Sequence, residues 1–548
     1  MRFFSSGGQS KTLRFFVWWA AMAYVVVYLA ANAFSWKVLD YFMSKSFQTD
    51  IFIWAVFLSL LGCYDVLQHK HSILRNYPVI GHFRYMFEIV RPEIRQYLLE
   101  SDEESVPFSR AQRSIVYQRA KNLSADQPFG SLLDVYATGY EFISHSLVPV
   151  PKNAPETLRI VIGNAQCAQP YSASIFNISA MSFGSLSANA IRALNGGAKR
   201  GNFYHDTGEG GISPYHLENG GDLVWELGSG YFGCRDGKAR FDPARFAERA
   251  ALHNVKMIEI KLNQGAKPGH GGVLPKEKIT PLIAEIRSVP MGQDCISPSA
   301  HTAFRTPLEL IAFIQQLREL SQGKPVGFKL CIGRPTEFMA IVKAMLQTGI
   351  YPDFIVVDGA EGGTGAAPVE FSDHIGMPLR EGLLFAHNTL VGTSLREHIK
   401  IGAAGKIVSA FDMTRTLALG ANWVNSARGF LFAVGCIQSQ SCHTNKCPTG
   451  VATQDEARQK ALIVSDKTER VYRFHRNTLA SLAEMLAAAG LNHPADIRPE
   501  HLVVRVSELE VQTYARRYEF LLPGELLSGE GAHPLYREMW GKADAGVF

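Results

Sequence analysis

Hydrophobic and polar positions divide the chain into stretches of different texture. Residues 15–34 (FFVWWAAMAYVVVYLAANAF) form an uncharged apolar run long enough to cross a bilayer as a helix, preceded by Arg2, Lys11 and Arg14. A second run, residues 51–64, is short for a span and reads as a tilted span or an interfacial helix, followed by His69, Lys70, His71 and Arg75. If both cross, the basic flanks put both ends in the cytoplasm, with the bulk of the protein there at the cell membrane. Two other readings stay open. Ala31-Asn32-Ala33 resembles a signal-peptide cleavage site. The runs can also form a buried soluble hairpin, although the aromatic residues at their edges argue against it. Residues 1–77 are therefore expected to be an anchor, and the mixed, partly helical residues 78–158 a linker region.

From about residue 159 short β-like runs alternate with helical patterns. The strand candidates are 176–180, 202–206, 257–262, 295–298, 326–331, 354–358, 399–404 and 423–427. Alternation of this kind predicts a parallel sheet of the α/β class. Eight repeats predict a (β/α)8 TIM barrel over residues 159–454, with the functional residues just after each strand. Residues 455–548 read as a helical C-terminal extension.

Composition narrows the picture only a little. A chain of 548 residues, 47% hydrophobic and 19% charged, is ample for a large core. The net charge of +5 is mild, and no Lys/Arg run reads as a nucleic-acid patch. Cys63, Cys167, Cys234, Cys295 and Cys331 are scattered singly, which is not a disulfide framework.

The strand ends carry the candidate chemistry. They read SAMSFGSLS (179–187), DTGEGG (206–211), KLNQGAKPGHGG (261–272), DGAEGGTGAAP (358–368), Gly405-Lys406 and Arg428-Gly429. Glycines let backbone N–H groups approach an anion closely, and a barrel's usual phosphate site follows its seventh and eighth strands. A phosphorylated cofactor in the barrel mouth is the natural inference, bound around Gly363, Thr364, Gly365, Gly405, Lys406, Ala427 and Arg428. Downstream, CIQSQSCHTNKCPTG spaces Cys436, Cys442 and Cys447 as C-x5-C-x4-C. Three thiolates on a glycine-flanked loop suit an iron–sulfur cluster. Zinc would need His443 as a fourth ligand, and structural zinc sites usually show tighter spacing. Inert thiols are the third reading.

SAMSFGSLS, GEGG, IEIKLNQGAKPGHGG, ISP, DGAEGGTGAAP and GC-x5-CHTNKCPTGVATQ, in that order, resemble the FMN-binding synthase domain of the glutamate synthase family, over residues 159–454. More narrowly, the chain is similar to stand-alone synthase-domain proteins with an apolar N-terminal segment. The resemblance implies FMN, a three-iron, four-sulfur (3Fe-4S) cluster on Cys436, Cys442 and Cys447, and reduction of 2-iminoglutarate, from 2-oxoglutarate and ammonia, to L-glutamate. It assigns Ser179, Met181 and Ser182 to the loop against the flavin ring. Lys267 and Arg287 match positions that hold the 2-oxoglutarate carboxylates, a task suited to a bidentate arginine. Lys261 joins them at the barrel mouth. Glu209 matches a glutamate near the active site, a proton or ammonia relay. Lys329 is positioned to set positive charge near the flavin N1 side, and His301 is a pocket or, more simply, a structural histidine.

Departures and absences matter as well. Val273 stands where the family usually has a glutamine that touches the keto acid, which leaves the 2-oxo acid open. GEGG continues Ile212-Ser213 rather than Glu-Asp, and the seventh loop reads Ala404-Gly405-Lys406 rather than Asp-Gly-Gly. The chain has no cysteine before Cys63, so ammonia is expected free or from a separate glutaminase subunit. It has no G-x-G-x-x-G fingerprint after a strand, so the electron donor is expected to be separate, a ferredoxin-like protein or an NAD(P)H reductase. The competing readings are another FMN barrel enzyme acting on a 2-oxo or 2-hydroxy acid, an amine or a nucleotide (the last with Cys295 or Cys331 as nucleophile), and a non-catalytic membrane redox scaffold.

Overall fold

The computed structural model describes residues 16–33, 45–68, 71–99, 107–529, 531 and 533–548. Arg2, Lys11, Arg14, His69 and Lys70, which carry the expected charge asymmetry, lie outside the described residues. The chain forms two compact units, Met1–Ser105 and Val106–Phe548.

In the first unit, helices α1 (Phe16–Ala33) and α2 (Lys45–Leu67) pack side by side. Trp18 Nε1 donates to Ser59 O at 3.2 Å and Tyr28 stacks on Phe52, so the pair runs antiparallel. Trp19, Leu29, Trp54, Phe57 and Leu60 face outward and are exposed. The apolar stretch of α2 runs over Phe47–Leu67, longer than residues 51–64, because its flanking residues continue the helix. By length and composition it is long enough to cross a membrane, whereas Trp18–Ala30 is shorter. The buried Asp65 carboxylate accepts from the Val79 N–H at 2.8 Å and pairs with His82 at 2.9 Å. That contact fixes the start of α3 (Gly81–Ile94) to the last turn of α2.

The second unit is built on a closed barrel of parallel strands: β1 Phe176–Ile178, β2 His205–Asp206, β3 Leu223–Leu227, β4 Val255–Lys261, β5 Val326–Leu330, β6 Phe354–Asp358, β7 Lys400–Ala404 and β8 Trp423–Ser426. They follow one another around the barrel in chain order, and β8 pairs with β1. All but one of the expected runs are barrel strands. The exception is 295–298. Cys295–Ile296 instead pairs antiparallel with Val273–Leu274 outside the barrel. The third strand is LVWEL, buried throughout. Lys261 therefore ends the fourth barrel strand, not the third.

Side chains fill the barrel in layers, as the alternation of strand residues requires. Tyr204, Val224, Met257, Phe354, Val356 and Trp423 form an inner apolar cluster. Ile162 and Ala173, from a hairpin of Arg159–Ile162 with Tyr171–Ser174, join this cluster and close that end. Above it the inward positions become polar: Asp206, Glu226, Glu259 and Lys329 are all buried.

Residues 107–158 belong to the barrel unit, so the unit boundary falls inside the stretch expected to be linker. Helix α4 (Arg110–Lys121), opened by a Ser109/Gln112 capping box, lies along α5 (Val464–Ala488). Arg119 Nη2 donates to Ser481 Oγ at 3.0 Å there. The C-terminal extension also contributes strands: Leu502–Arg505 pairs antiparallel with Glu141–Ile143 and with Val511–Thr513. The Glu141 carboxylate gathers Arg380 (2.5 Å), Arg415 (3.1 Å) and the Tyr514 hydroxyl (2.6 Å), tying this small sheet to helices on the barrel wall.

Candidate active site

A cavity of about 370 Å³ opens over the C-terminal ends of the strands. Its walls bring together nearly every residue singled out in the sequence, because the loops after β1, β2, β4, β6, β7 and β8 all end there.

One wall is cationic and glycine-rich. Gly363, Thr364, Gly365, Gly405, Lys406, Ala427 and Arg428 all face the cavity. Arg428 Nη2 donates to Glu361 O at 3.1 Å, and its guanidinium lies 4.7 Å over the Phe108 ring. A Cβ on Gly363 would come to 2.7 Å from that guanidinium, so a side chain there would push Arg428 aside. Lys406 holds a left-handed φ of 48°, which turns the loop after β7. Burial lowers the Lys406 ammonium, and the like charge of Arg428 lowers it further. Burial brings Arg428 down to about 10. Two half-desolvated cations beside glycines form a cradle that an anion relieves, so these residues fit a phosphate.

The opposite wall holds the ionisable residues. Lys261 Nζ lies 3.2 Å from Glu209 Oε2 and donates to Gln264 Oε1 at 3.1 Å. Burial pushes the Glu209 carboxyl up, but the charges of Lys261, Arg287 and Lys267 more than offset this and hold it below its ordinary value. Lys267 Nζ donates to Ala366 O at 2.9 Å, joining the loops after β4 and β6, and burial lowers its ammonium. Ser179, Met181, Ser182 and Val273 also line the cavity. Arg287 is the exception among the expected binding residues. It is not on the cavity wall; its guanidinium donates to Phe183 O at 3.0 Å and supports the loop after β1 from behind. Its Nε has no partner among the described residues. His301 also stands behind the wall. Its Nε2 donates to Lys261 O at 2.8 Å while Nδ1 meets the Tyr231 hydroxyl, so its role is structural. Cys295 and Cys331 are both buried off the cavity wall, and burial raises the Cys331 thiol to about 12, which removes the nucleophile a nucleotide dehydrogenase would need.

Lys329 faces the cavity floor, but it is not a free charge. It is ion-paired with Glu226 and, at 3.3 Å, with Glu259. Asp206 and Asp358 face the same ammonium. Burial raises Asp206 well above the carboxylate range and Glu259 to about 7. The floor is thus a layer of buried acids gathered around one lysine. Glu226 escaped the sequence reading along with its strand. The signal available was a charged residue inside an apolar run, as at Lys261.

The three cysteines converge. Cys436 and Cys442 line the cavity, and Cys447 is buried next to them. Each thiol lies close enough to feel the charge of another of the three. Burial raises Cys436 to about 12. Burial also raises Cys447, but N–H groups of Ala452, Thr449 and Val451 and the Thr449 hydroxyl reverse this and favour its thiolate. The loop is held to the barrel: Gln454 Nε2 donates to Gly184 O and Leu186 O, and the Tyr117 hydroxyl to Cys436 O. Three sulfurs near one another on one loop, one with its thiolate form favoured, fit the ligand set of an iron–sulfur cluster. His443 is on the cavity wall as well.

The reading missed Lys278. It lies on the cavity wall, 3% exposed, and its ammonium donates to Ser185 O and Ala452 O at 3.0 Å each.

A family model described as the conserved region in glutamate synthase matches residues 146–492. The glutamate synthase large subunit-like protein YerD of Bacillus subtilis (strain 168) is 38% identical over 481 residues, spanning 80% of this chain and 91% of that one. An archaeal-type glutamate synthase (NADPH) of Thermotoga maritima is 33% identical over 352 residues, 64% of this chain and 65% of its own length. Among solved structures, the flavin-binding domain of baker's yeast flavocytochrome b2 aligns with a TM-score of 0.40 at 13% identity, covering 82% of this chain and 91% of that one. With the motifs standing at the barrel mouth and the match running through most of its length, the chain belongs to the glutamate synthase family.

Proposed function

We propose that the protein is an FMN-dependent oxidoreductase of glutamate synthase type. It reduces 2-iminoglutarate, formed from 2-oxoglutarate and ammonia, to L-glutamate, with electrons arriving through a 3Fe-4S cluster on Cys436, Cys442 and Cys447. One observation carries the reading: a single cavity joins a phosphate cradle, a lysine–glutamate wall and two of three converging cysteines.

FMN, held by the wall of Lys406, Arg428 and the glycines, supplies the hydride chemistry. The chain's own part is binding and charge. Lys261 and Lys267 present ammonium groups where a dicarboxylate enters, and their burial strengthens the attraction. Arg287 acts on the substrate only through the loop it supports. Glu209, held below its ordinary value beside Lys261, presents a carboxylate that can attract and orient an ammonium ion at this wall. Lys329 and its acids hold the floor beneath, so the positive charge expected near the flavin N1 side is largely compensated.

A second reading has its own support. Val273 places an apolar side chain on the cavity wall where the family's amide is expected, which favours a less polar 2-oxo acid. The electron donor is proposed to be a separate protein, ferredoxin-like or an NAD(P)H reductase, and the ammonia free or delivered by a glutaminase subunit. The outward apolar faces of α1 and α2 support attachment to the cell membrane, and the barrel is proposed to lie on the cytoplasmic side.

The test is anaerobic purification with flavin and iron quantified, followed by assay with 2-oxoglutarate, ammonium and an artificial reductant. Stoichiometric flavin, about three irons per chain and glutamate formation are expected. Protein free of flavin and iron sinks the reading. Loaded protein that aminates another 2-oxo acid but not 2-oxoglutarate moves it to the Val273 alternative.

A further inference from the structure

Lys278 lies in the segment between the Val273–Leu274 strand and the helix Pro281–Arg287. Its ammonium is withdrawn from water and held by two neutral carbonyls, Ser185 O on the loop after β1 and Ala452 O just past the cysteine loop. No carboxylate pairs with it among the described residues. The titratable groups whose charge reaches it are the thiols of Cys442 and Cys447. The connection is close in structure: Ala452 accepts from Lys278 through its carbonyl and donates to the Cys447 sulfur through its N–H. Asn445, inside the cysteine loop, donates to Glu277 O at 3.1 Å and fastens the two segments together.

A buried ammonium without an anion is costly, and such charges are retained where something pairs with them. Carbonyl dipoles orient the charge here but do not neutralise it. The missing anion belongs beside Cys442 and Cys447, the thiols nearest this ammonium in charge. An iron–sulfur centre on three thiolates is a net anion, and it gains one further negative charge when one electron enters from the donor.

We propose that Lys278 is the counter-charge of the centre held by Cys436, Cys442 and Cys447, a positioning residue that raises its reduction potential and so sets which way electrons run between the cysteine loop and the cavity. The inference rests on the cluster reading above. A fixed positive charge beside a redox centre favours the state with one more electron; the electron comes from an external one-electron donor, and no bond in the protein forms or breaks. Lys278 also lines the cavity, so its charge acts on both sides of that transfer.

The experiment is a dithionite titration of full-length protein followed by EPR, on the wild type, Lys278→Met and Lys278→Arg, with iron and flavin measured on each. The expected result is a potential shifted negative in K278M and returned toward the wild type in K278R. Loss of iron from K278M with retention in K278R also supports the role, since charge and not packing then distinguishes the variants. An unchanged potential in iron-loaded K278M overturns it, and so does equal iron loss in both variants, which marks Lys278 as a loop clamp only. A wild type without iron overturns the cluster reading itself and the inference with it, an outcome the iron assay separates from the others.

Discussion

Lys329 shows how a residue's meaning depends on its company. A strand-end lysine aimed at a cofactor is a positive charge; the same lysine between Glu226 and Glu259, each 2% exposed, is the centre of an acidic layer. The sign of the resulting pH dependence follows from Glu259. Burial raises its carboxyl from 4.5 to about 7, so the folded state binds the proton more tightly than the unfolded chain. Its contribution to stability is fully present below about 4.5 and is lost as the pH rises through about 7. Chemical denaturation across that window is expected to show falling stability, and Glu259→Gln is expected to flatten the slope. Arg428 carries a second expectation. Replacing it with Met removes a charge-assisted partner for phosphate worth about 1.5–3 kcal/mol, so flavin should bind roughly ten- to a hundredfold more weakly, read by fluorescence of the released flavin. The cysteines carry a third. Cys436→Ser, Cys442→Ser and Cys447→Ser should each lose iron while keeping flavin, because the phosphate cradle lies on other loops; equal loss of both would show that the loop is a folding element first.

Elements that look peripheral in the sequence hold the barrel unit together. Helix α5 packs along α4 and also against the first barrel helix, Ala188–Gly201. The strand Glu141–Ile143 is completed by Leu502–Arg505, from the far end of the chain. Glu141 is the joint, since its carboxylate serves Arg380, Arg415 and Tyr514 together. Glu141→Ala leaves two guanidinium groups and a buried hydroxyl without their acceptor. It should cost about 2 kcal/mol, measured by urea denaturation, with flavin and iron content unchanged in the folded fraction. At this scale the sequence was readable where an element repeats a period and unreadable where it is only a few residues long. LVWEL and CISP are equally short and apolar. Barrel closure selects LVWEL because it lies between β2 and β4, whereas Cys295–Ile296 finds its partner in Val273–Leu274.

For the whole molecule, the first unit's role follows from what its surface offers to solvent. Helix α2 exposes Ile53, Trp54, Phe57, Leu60, Tyr64 and Leu67, and its buried carboxylate, Asp65, is spent on the Val79 N–H and His82. Helix α3, which that contact fixes in place, exposes Phe83, Phe87, Val90 and Ile94 along one stripe, the pattern of a helix lying in a membrane interface. The protein is therefore expected to stay with the membrane fraction through a carbonate wash and to be released by detergent. Full release by salt or carbonate would leave these faces to a protein partner.

Alternation of strand and helix, glycine loops at strand ends and the cysteine spacing are local patterns, and local geometry is enough to specify a barrel with an anion-binding mouth and a thiol loop beside it. The distribution of charge inside that mouth is another matter. Lys329 with Glu226, Lys278 with Ala452 and Arg287 behind Phe183 are partners far apart in the chain. No periodicity encodes them, because each contact exists only after the barrel has closed and burial has made an unpaired charge too costly to leave.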